Sequence, residues 1–310
     1  MPEVSVIIPN FNHAPFLELR INSVLNQTFQ DYEVIILDDC STDNSRAVIE
    51  QYRNHTKVSQ VVFNEQNSGT TFKQWEKGIG LATGKYIWIA ESDDYCEPEF
   101  LSTAIGSFKQ NDDVALFFSR SYQVDQKNDV LNDFLWWTKD LPAYNWEKDF
   151  TESGDRIITS CLSKKNVIVN ASAVVFKKEN SLKALAGITG LRKCGDWLFW
   201  TLLITGKQVA YHGTPLNYFR DHQQSTRSFG NMESKLVRCL EEYYVKKQIQ
   251  ELTGNVQTKI QADAAFNNIF RTAPASDYEV LKRVYSKVLH KDLSKPAFLY
   301  YKFRNKLIKR

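Results

Sequence analysis

Apolar and polar positions follow two alternating periods over the first 120 residues. Short, continuously apolar runs rich in β-branched and aromatic residues predict buried strands. Between them, apolar residues recur at the three- and four-residue spacing of helices. The predicted strands cover residues 4–9, 32–37, 59–63, 86–90 and 114–119. This alternation predicts an α/β fold with a mostly parallel sheet flanked by helices.

The pattern changes after residue 120 and again after residue 230. In the first of these regions we predict a helix, a strand, a helix start and a short strand, at residues 154–162, 171–176, 195 and 215–219. Beyond it the periodicity is helical only, over residues 236–252, 262–270 and 278–289. The sequence therefore predicts one α/β domain over residues 1–230 and a helical C-terminal extension over residues 231–310.

Polar side chains follow three of the predicted strands at the point where each strand ends. They are Asn10 and Asn12, then Asp38 and Asp39, then residues 91–94. In open α/β sheets, ligands bind at the carboxyl ends of the strands. One ligand could therefore touch all three groups.

The densest of these groups is Glu91-Ser92-Asp93-Asp94, with three carboxylates in four residues. Mg²⁺ and Mn²⁺ prefer oxygen ligands and bridge protein carboxylates to phosphates. An aspartate-rich surface turn would have a similar composition. The buried strand before the run favours a cation site.

Four further residues carry candidate chemistry, each with a structural alternative. Asp39 could accept a hydrogen bond from a base or a ribose, or belong to a turn. Asp196 fits a helix cap and equally a general base beside an aromatic residue. Arg220 and His222 follow a strand end, where they suit a phosphate and a metal ion, although a single histidine is more often structural.

The composition is that of a globular protein, with 310 residues, 43% hydrophobic and 24% charged. No run reaches the roughly 18 to 20 apolar residues of a membrane helix, and residues 1–9 lack the features of a signal peptide. We therefore expect a cytoplasmic protein. Five widely spaced cysteines without a CxxC pair predict neither a disulfide framework nor a zinc site.

The net charge of +3 hides an asymmetry along the chain. Residues 282–310 contain ten Lys or Arg and one acid, a balance of +9, which leaves 3 − 9 = −6 for the remainder. Aromatic and aliphatic residues are interleaved with these bases, which favours peripheral contact of residues 291–310 with anionic membrane over nucleic acid. This would place the protein at the inner face of the plasma membrane. A solvated tail that packs its aromatic residues on the domain is the alternative.

Several common catalytic and nucleotide-binding motifs are absent. Residues 78–85 contain three glycines but match neither phosphate-loop spacing, and they precede a strand instead of following one. We predict a helix C-cap and a turn at Gly84. The sequence also lacks a GxSxG elbow and a Cys/His pair, so covalent hydrolase chemistry has little support.

Taken in order, the motifs resemble family 2 of the inverting glycosyltransferases, which have the GT-A fold, a Rossmann-like sheet flanked by helices. The resemblance covers about residues 1–230, of which the first 120 would be the nucleotide-binding half and residues 121–230 the acceptor half. It rests on "VSVIIPNFN" at 4–12, "SVLNQTFQDYEVIILDDCSTDNS" at 23–45, "NSG" at 67–69, "GKYIWIAESDD" at 84–94, "GDW" at 195–197 and "YFRDHQQS" at 218–225.

The resemblance implies a role for each matching residue. Asp196 would be the catalytic base, and Asp93 would hold Mg²⁺ or Mn²⁺ on the donor diphosphate, with His222 as a further candidate metal ligand. Glu91, Asp94 and Trp197 would contact the donor sugar. The donor nucleotide would be bound by Pro9, Asn10, Phe11, Asn12, Asp39, Asn67, Gly69, Lys73, Ser92 and Arg220.

Two positions depart from the family pattern. Glu91 stands where the family usually has the first Asp of its DxD motif, which puts direct metal ligation by Glu91 in doubt and suggests a sugar or outer contact. Lys73-Gln74-Trp75 stands where many members have an Arg-Asn pair.

The function implied is transfer of a sugar, most plausibly from a UDP-sugar, to a saccharide or lipid-linked saccharide in bacterial surface-polysaccharide synthesis. Two rivals are a sugar nucleotidyltransferase and a non-catalytic carbohydrate-binding protein. The first should have a glycine-rich, basic loop after the first strand, and residues 9–13 contain neither glycine nor Lys or Arg. The second would not need acids at several strand ends together with Asp196.

Overall fold

A computed structural model describes residues 1–188, 190–221 and 232–254. The chain divides into two compact units, Met1–Gln223 and Gln224–Arg310. The sheet and the residues discussed as a site belong to the first unit. In the second unit the described part is one helix, whose Arg238 pairs with Glu242 one turn later at 3.0 Å.

Ten strands of the first unit form one mixed sheet in the order β3-β2-β1-β4-β9-β6-β10-β5, with β7 paired to β6 and β8 to β10. The strands are β1 (Val4–Asn10), β2 (Tyr32–Asp38), β3 (Val58–Phe63), β4 (Tyr86–Ile89), β5 (Tyr95–Cys96), β6 (Val114–Val124), β7 (Val130–Asp133), β8 (Phe150–Ser153), β9 (Val174–Lys177) and β10 (Gln208–Arg220).

Helices cover both faces of this sheet. They are α1 (Ala14–Leu25), α2 (Ser45–Tyr52), α3 (Thr71–Leu81), α4 (Phe100–Gln110), α5 (Leu135–Thr138), α6 (Gly154–Ile157), α7 (Ser181–Ala186) and α8 (Gly195–Ile204). The second unit separately contains α9 (Met232–Thr253). A π-helical turn, Ile158–Leu162, continues α6, and a 3₁₀ turn, Ala171–Ala173, precedes β9.

The predicted α/β class is confirmed, and β1 to β4 pair in parallel in the order β3-β2-β1-β4. The strand predicted over residues 215–219 is wrong in length, because β10 is 13 residues long. Gly213 and Pro215 interrupt its apolar pattern, and the register with β6 shifts on both sides of Pro215. Such bulges accommodate a residue without an N–H in a strand.

One face of the sheet packs against α1, α2 and α4. Alternate residues of β1, β2 and β4, such as Val6, Ile36 and Trp88, are buried there with Leu17 and Phe100. The alternation follows from the two-residue period of a strand.

An aromatic cluster covers the opposite face, beneath α3 and α8. The Trp75 ring lies 5.7 Å from Trp200 and 5.8 Å from Phe199, and Phe176 of β9 closes the cluster. Close approach of α3 to β1 requires a glycine, because a Cβ at Gly78 would lie 2.4 Å from Ile7 Cγ2.

The C-cap predicted at Gly84 is wrong. Helix α3 ends at Leu81, and its C-cap is Ala82 in an extended conformation. Gly84 instead lies against β1, where a Cβ would come within 2.7 Å of the Ser5 backbone nitrogen. Close backbone packing, and not a helix end, therefore accounts for this glycine.

The topology brings the polar strand ends to one edge of the sheet. In parallel register, Asn10 pairs with Asp38, so β1 and β2 end at the same level, and Ile89 pairs with Ile7, so the neighbouring β4 ends three residues earlier on the same edge. The strand order reverses between β1 and β4, which is where open α/β sheets form a ligand crevice.

Within the described residues, no helix has the length and apolar character of a membrane span. The helices predicted over residues 262–270 and 278–289, and the basic segment 291–310, lie outside the described residues.

Candidate active site

The turn after β4, residues 91–94, is named here the acidic turn. Its three carboxylates have different surroundings, so the composition of the run does not describe one uniform cation site.

Glu91 is directed to helix α3. Its Oε1 accepts a hydrogen bond from Trp75 Nε1 at 2.8 Å and one from Thr71 Oγ1 at 3.4 Å. Burial raises the pKa of Glu91 to about 8, and the neighbouring charge of Asp93 adds to this effect. Two positions that depart from the family pattern, 75 and 91, therefore contact each other.

Asp94 is buried, with 2% of its surface exposed, and its oxygens bind the scaffold. Oδ2 accepts hydrogen bonds from Ser172 Oγ at 2.6 Å and Asn170 Nδ2 at 2.9 Å, and Oδ1 accepts one from the Arg220 N–H at 2.9 Å. Burial and then Asp93 raise the pKa of Asp94 to about 6, against the opposing charge of Arg20. This burial favours a structural role over the predicted contact with the donor sugar.

Asp93 is the more accessible of the two aspartates and is only partly buried. Its backbone carbonyl accepts a hydrogen bond from Arg220 Nε at 2.7 Å. The position of the Asp93 backbone is thus fixed from β10.

The Arg220 side chain is 1% exposed. Besides Asp93, its guanidinium donates to the Asp125 carbonyl at 2.5 Å and to Asn128 Oδ1 at 2.6 Å, and it lies 4.5 Å from the centre of the Phe16 ring. Burial lowers the pKa of this arginine. All three guanidinium nitrogens have protein partners, which favours a clamp on the acidic turn over the predicted contact with phosphate.

Asp39 follows β2 and is 4% exposed. Its Oδ1 accepts hydrogen bonds from Asn64 Nδ2, the Ser68 N–H and Gln74 Nε2 at 2.7 to 2.9 Å, and its Oδ2 accepts one from Ser68 Oγ at 2.7 Å. Asn67 Nδ2 donates to the Asp39 carbonyl at 3.1 Å. The "NSG" loop is therefore folded around this carboxylate.

Other predicted nucleotide-binding residues surround the end of β1. Pro9 and Asn10 are buried, and Asn10 Nδ2 donates to Asp38 Oδ1 at 2.7 Å. Asn12 has a φ of +56° and accepts a hydrogen bond from the Thr42 N–H at 2.7 Å. Phe11 lies between them and is 43% exposed, so its ring is available to a ligand.

Three more predicted residues lie on neighbouring loops. Gly69 has a φ of +82°, a conformation that favours glycine, and its N–H donates to Asn67 Oδ1 at 2.8 Å. Lys73 is exposed and donates to the Ser68 carbonyl at 3.0 Å. Ser92 is buried in the acidic turn, with its Oγ 2.9 Å from His13 Nδ1.

Asp196 lies in the first turn of α8 and is partly buried. Its Oδ2 accepts a hydrogen bond from Asn166 Nδ2 at 3.1 Å, and the helix has no side-chain N-cap. Trp197 is 5% exposed and donates to the Leu162 carbonyl at 3.1 Å. The Trp197 ring therefore belongs to the core, which argues against its predicted contact with the donor sugar.

His222 lies outside the described residues. Among the residues that the model describes, no three acidic, histidine or cysteine side chains are grouped as metal ligands.

Several positioning residues were not predicted from the sequence. Arg20 of α1 is fully buried, donates to the Glu91 carbonyl at 2.8 Å and lies 3.9 Å from Asp94 Oδ2. A signal existed, because Arg20 falls on the apolar stripe of α1 that contains Leu17, Ile21 and Val24. For Asn166, Asn170 and Ser172, which lie between α6 and β9, the sequence offers no comparable periodic signal.

A match to a known protein family identifies the family of this chain. The family model described as "Glycosyl transferase family 2" matches residues 5–169, more than half of the chain. The chain belongs to glycosyltransferase family 2.

Among relatives in this family, a Bacillus subtilis (strain 168) protein named as a teichuronic acid biosynthesis glycosyltransferase, TuaG, is 33% identical over 134 residues, which are 43% of this chain and 52% of that protein. A crystal structure of Staphylococcus aureus TarS 1-349 in complex with UDP-GlcNAc has a TM-score of 0.62 at 17% identity, covering 92% of this chain and 81% of that one.

A mannosyltransferase from Pyrobaculum calidifontis, in complex with GDP-Man and Mn²⁺, has a TM-score of 0.54 at 16% identity, covering 99% of this chain and 85% of that one. At these identities the structural likeness concerns the fold, and it supports the predicted GT-A architecture. The chain spans about half the length of the curated relatives TuaG and the Methanocaldococcus jannaschii glycosyltransferase MJ1057.

Proposed function

We propose that this protein transfers a sugar from a UDP-sugar to a saccharide hydroxyl with inversion at the anomeric carbon. The observation that carries the proposal is the placement of Asp39 and the acidic turn at the neighbouring ends of β1, β2 and β4. A nucleoside diphosphate needs both a base-binding acceptor and a phosphate-binding edge. The UDP-GlcNAc bound by TarS supports UDP as the nucleotide.

Asp39 would bind the donor base or ribose through Oδ2, which has one hydrogen bond from Ser68 Oγ, whereas Oδ1 has three protein donors. A carboxylate oxygen accepts about two hydrogen bonds, so Oδ2 retains capacity for a ligand donor. Phe11, Asn12 and Gly69 would line the same nucleotide site. Lys73 is exposed beside it and would contribute positive charge towards a phosphate.

A divalent cation fits the acidic turn with Asp93 as its protein ligand. Mg²⁺ is commonly bound through one or two carboxylates together with substrate phosphates. A magnesium site with Asp93 as its protein ligand therefore does not need three protein side chains placed around the ion. Glu91, which contacts α3, and Asp94, which is buried in the sheet domain, would fix the turn that presents Asp93. When bound, Mg²⁺ or Mn²⁺ would neutralise charge on the departing diphosphate.

Asp196 would remove the proton from the acceptor hydroxyl. The acceptor oxygen then forms a bond to the anomeric carbon while the bond to the nucleoside diphosphate breaks, and a single displacement inverts the configuration. Inverting glycosidases use a single carboxylate base in the analogous way, on water. Asn166, through its hydrogen bond to Oδ2, would orient the carboxylate.

The acceptor would be a saccharide of a bacterial cell-surface polymer, as the name of TuaG suggests for that relative. We also propose that this acceptor is lipid-linked. The protein would then act in the cytoplasm at the membrane face, with a membrane contact through residues 291–310.

The proposal is tested by incubating the protein with UDP-GlcNAc, other UDP-sugars and GDP-mannose, in Mn²⁺ or in EDTA. Release of UDP from a UDP-sugar, dependent on Mn²⁺, is expected. Release of pyrophosphate from a nucleoside triphosphate and sugar phosphate would instead identify a nucleotidyltransferase. Sugar binding without turnover of any nucleotide would identify a carbohydrate-binding protein.

A further inference from the structure

Trp136, in the short helix α5 just after β7, has a half-exposed indole ring. Trp136 of α5 exposes 49% of its surface, whereas the other six tryptophans are buried or partly buried. The exposed face of this ring offers apolar contact area to a ligand.

The Trp136 ring is held in place by its neighbours. Nε1 donates to Asn132 Oδ1 at 2.9 Å, the Phe134 ring stacks at 6.2 Å, and Trp137 meets it nearly at right angles with centroids 5.5 Å apart. A ring fixed in this way loses little conformational entropy when a ligand binds.

A chain of hydrogen bonds joins this aromatic surface to Asp196. Trp137 Nε1 donates to the Asn166 carbonyl at 2.7 Å, and Asn166 Nδ2 donates to Asp196 Oδ2 at 3.1 Å. A hydrogen bond from the Ile168 N–H to Asn166 Oδ1, at 3.1 Å, orients the side-chain amide of Asn166. Asn166 therefore contacts both Trp137 and the carboxylate proposed as the base.

We infer that Trp136 and Trp137 form the acceptor subsite, in which the exposed Trp136 ring stacks on a saccharide ring of the acceptor and Trp137 meets that saccharide at its edge, on the side of Asp196. A pyranose has an apolar C–H face and a polar rim, which match an indole surrounded by polar groups. Lys165, 4.7 Å from the Trp137 ring centre and paired with Asp140, supplies that polar rim. This inference rests on the proposed function, because it needs Asp196 to act on an acceptor.

Direct binding is tested by ¹⁹F NMR of the full chain labelled with 5-fluorotryptophan. The probes are methyl glycosides of glucose, galactose, N-acetylglucosamine and glucuronic acid, and Trp136→Phe assigns the resonance. We expect at least one glycoside to shift the Trp136 signal while the buried Trp88 and Trp200 signals stay fixed. No shift with any glycoside, or equal shifts at all tryptophans, would overturn the subsite.

Kinetics with the best glycoside separate this inference from the function on which it rests. Trp136→Ala should raise the acceptor KM about tenfold, equivalent to about 1.4 kcal/mol, with little change in kcat or donor KM. Trp136→Phe should restore most of the loss, and Leu182→Ala, which removes another exposed apolar side chain, should have no effect.

An unchanged acceptor KM in Trp136→Ala, with normal UDP binding and turnover, would overturn the subsite and leave the glycosyltransferase function standing. Failure of the wild-type chain to bind any nucleotide sugar would overturn the proposed function, and the subsite with it.

Discussion

Replacement of Arg220 by alanine should destabilise the fold, because this guanidinium binds protein groups. It donates to the Asp93 carbonyl, the Asp125 carbonyl and Asn128 Oδ1, and it packs on Phe16 with 1% of its surface exposed. Alanine would remove the donor from the carbonyls of Asp93 and Asp125, which are partly buried, and from Oδ1 of the exposed Asn128. A buried acceptor that loses its donor costs about 1 to 3 kcal/mol, and water that enters the vacated space recovers part of this cost.

We therefore expect Arg220→Ala to lower the free energy of unfolding by roughly 3 to 5 kcal/mol, the sum of the costs at the three acceptors less what hydration recovers. In a domain of this size that corresponds to a fall in Tm of roughly 10 °C. Circular dichroism during heating, without metal or nucleotide, measures it. Arg220→Lys keeps the charge but loses the fork of donors, so it should recover only part of the loss.

The matched control is Arg53→Ala, which removes an exposed arginine paired with Glu50 and should change Tm little. The opposite result would refute the argument. If Arg220→Ala kept the wild-type Tm but bound UDP more weakly, the guanidinium would be a phosphate ligand, as its position in the sequence first suggested.

Three further changes test other parts of the site. Because the folded-state pKa of Glu91 lies at about 8, above its ordinary value of 4.5, its contribution to stability is complete below pH 4.5 and is lost as pH rises through 8. Glu91→Gln should remove this loss of stability, whose slope is at most about 1.4 kcal/mol per pH unit. Urea unfolding at pH 5 and pH 8 measures the slope, and a variant that kept the wild-type slope would contradict the prediction. Asp93→Ala should weaken UDP binding in Mn²⁺ about tenfold or more but leave binding in EDTA unchanged; calorimetry measures both, and equal losses in both would refute metal ligation by Asp93. Asn166→Ala should reduce kcat about tenfold with the UDP Kd unchanged, and an unaltered kcat would exclude a positioning role.

The fold was largely predictable because the N-terminal elements have clean periods. Buried strands such as β1 and β2 are continuously apolar, and their parallel pairing follows from the helices between them. Strand β10 was underestimated because Gly213 and Pro215 interrupt its pattern, and only pairing with β6 and β8 shows its length.

The site was predictable in its location but not in the orientation of its side chains. Glu91, Asp93 and Asp94 are equivalent in a sequence, yet Trp75 and Ser172, 16 and 78 residues away, decide where Glu91 and Asp94 point. Contacts over such separations depend on tertiary packing and carry no local signal. For the same reason the sequence favours Arg220 as a phosphate ligand, whereas in the structure its guanidinium donates to three protein acceptors.

The central claim is that Asp196 is the base of a nucleotide-sugar transfer, and Asp196→Asn tests it most directly. The amide keeps the size of the side chain but cannot accept the proton of the acceptor hydroxyl. The measurement is UDP release per enzyme from the active UDP-sugar, alongside the Kd for UDP. We predict a fall in turnover of about 10² to 10⁴-fold with a nearly unchanged Kd. Full turnover in Asp196→Asn would contradict the account.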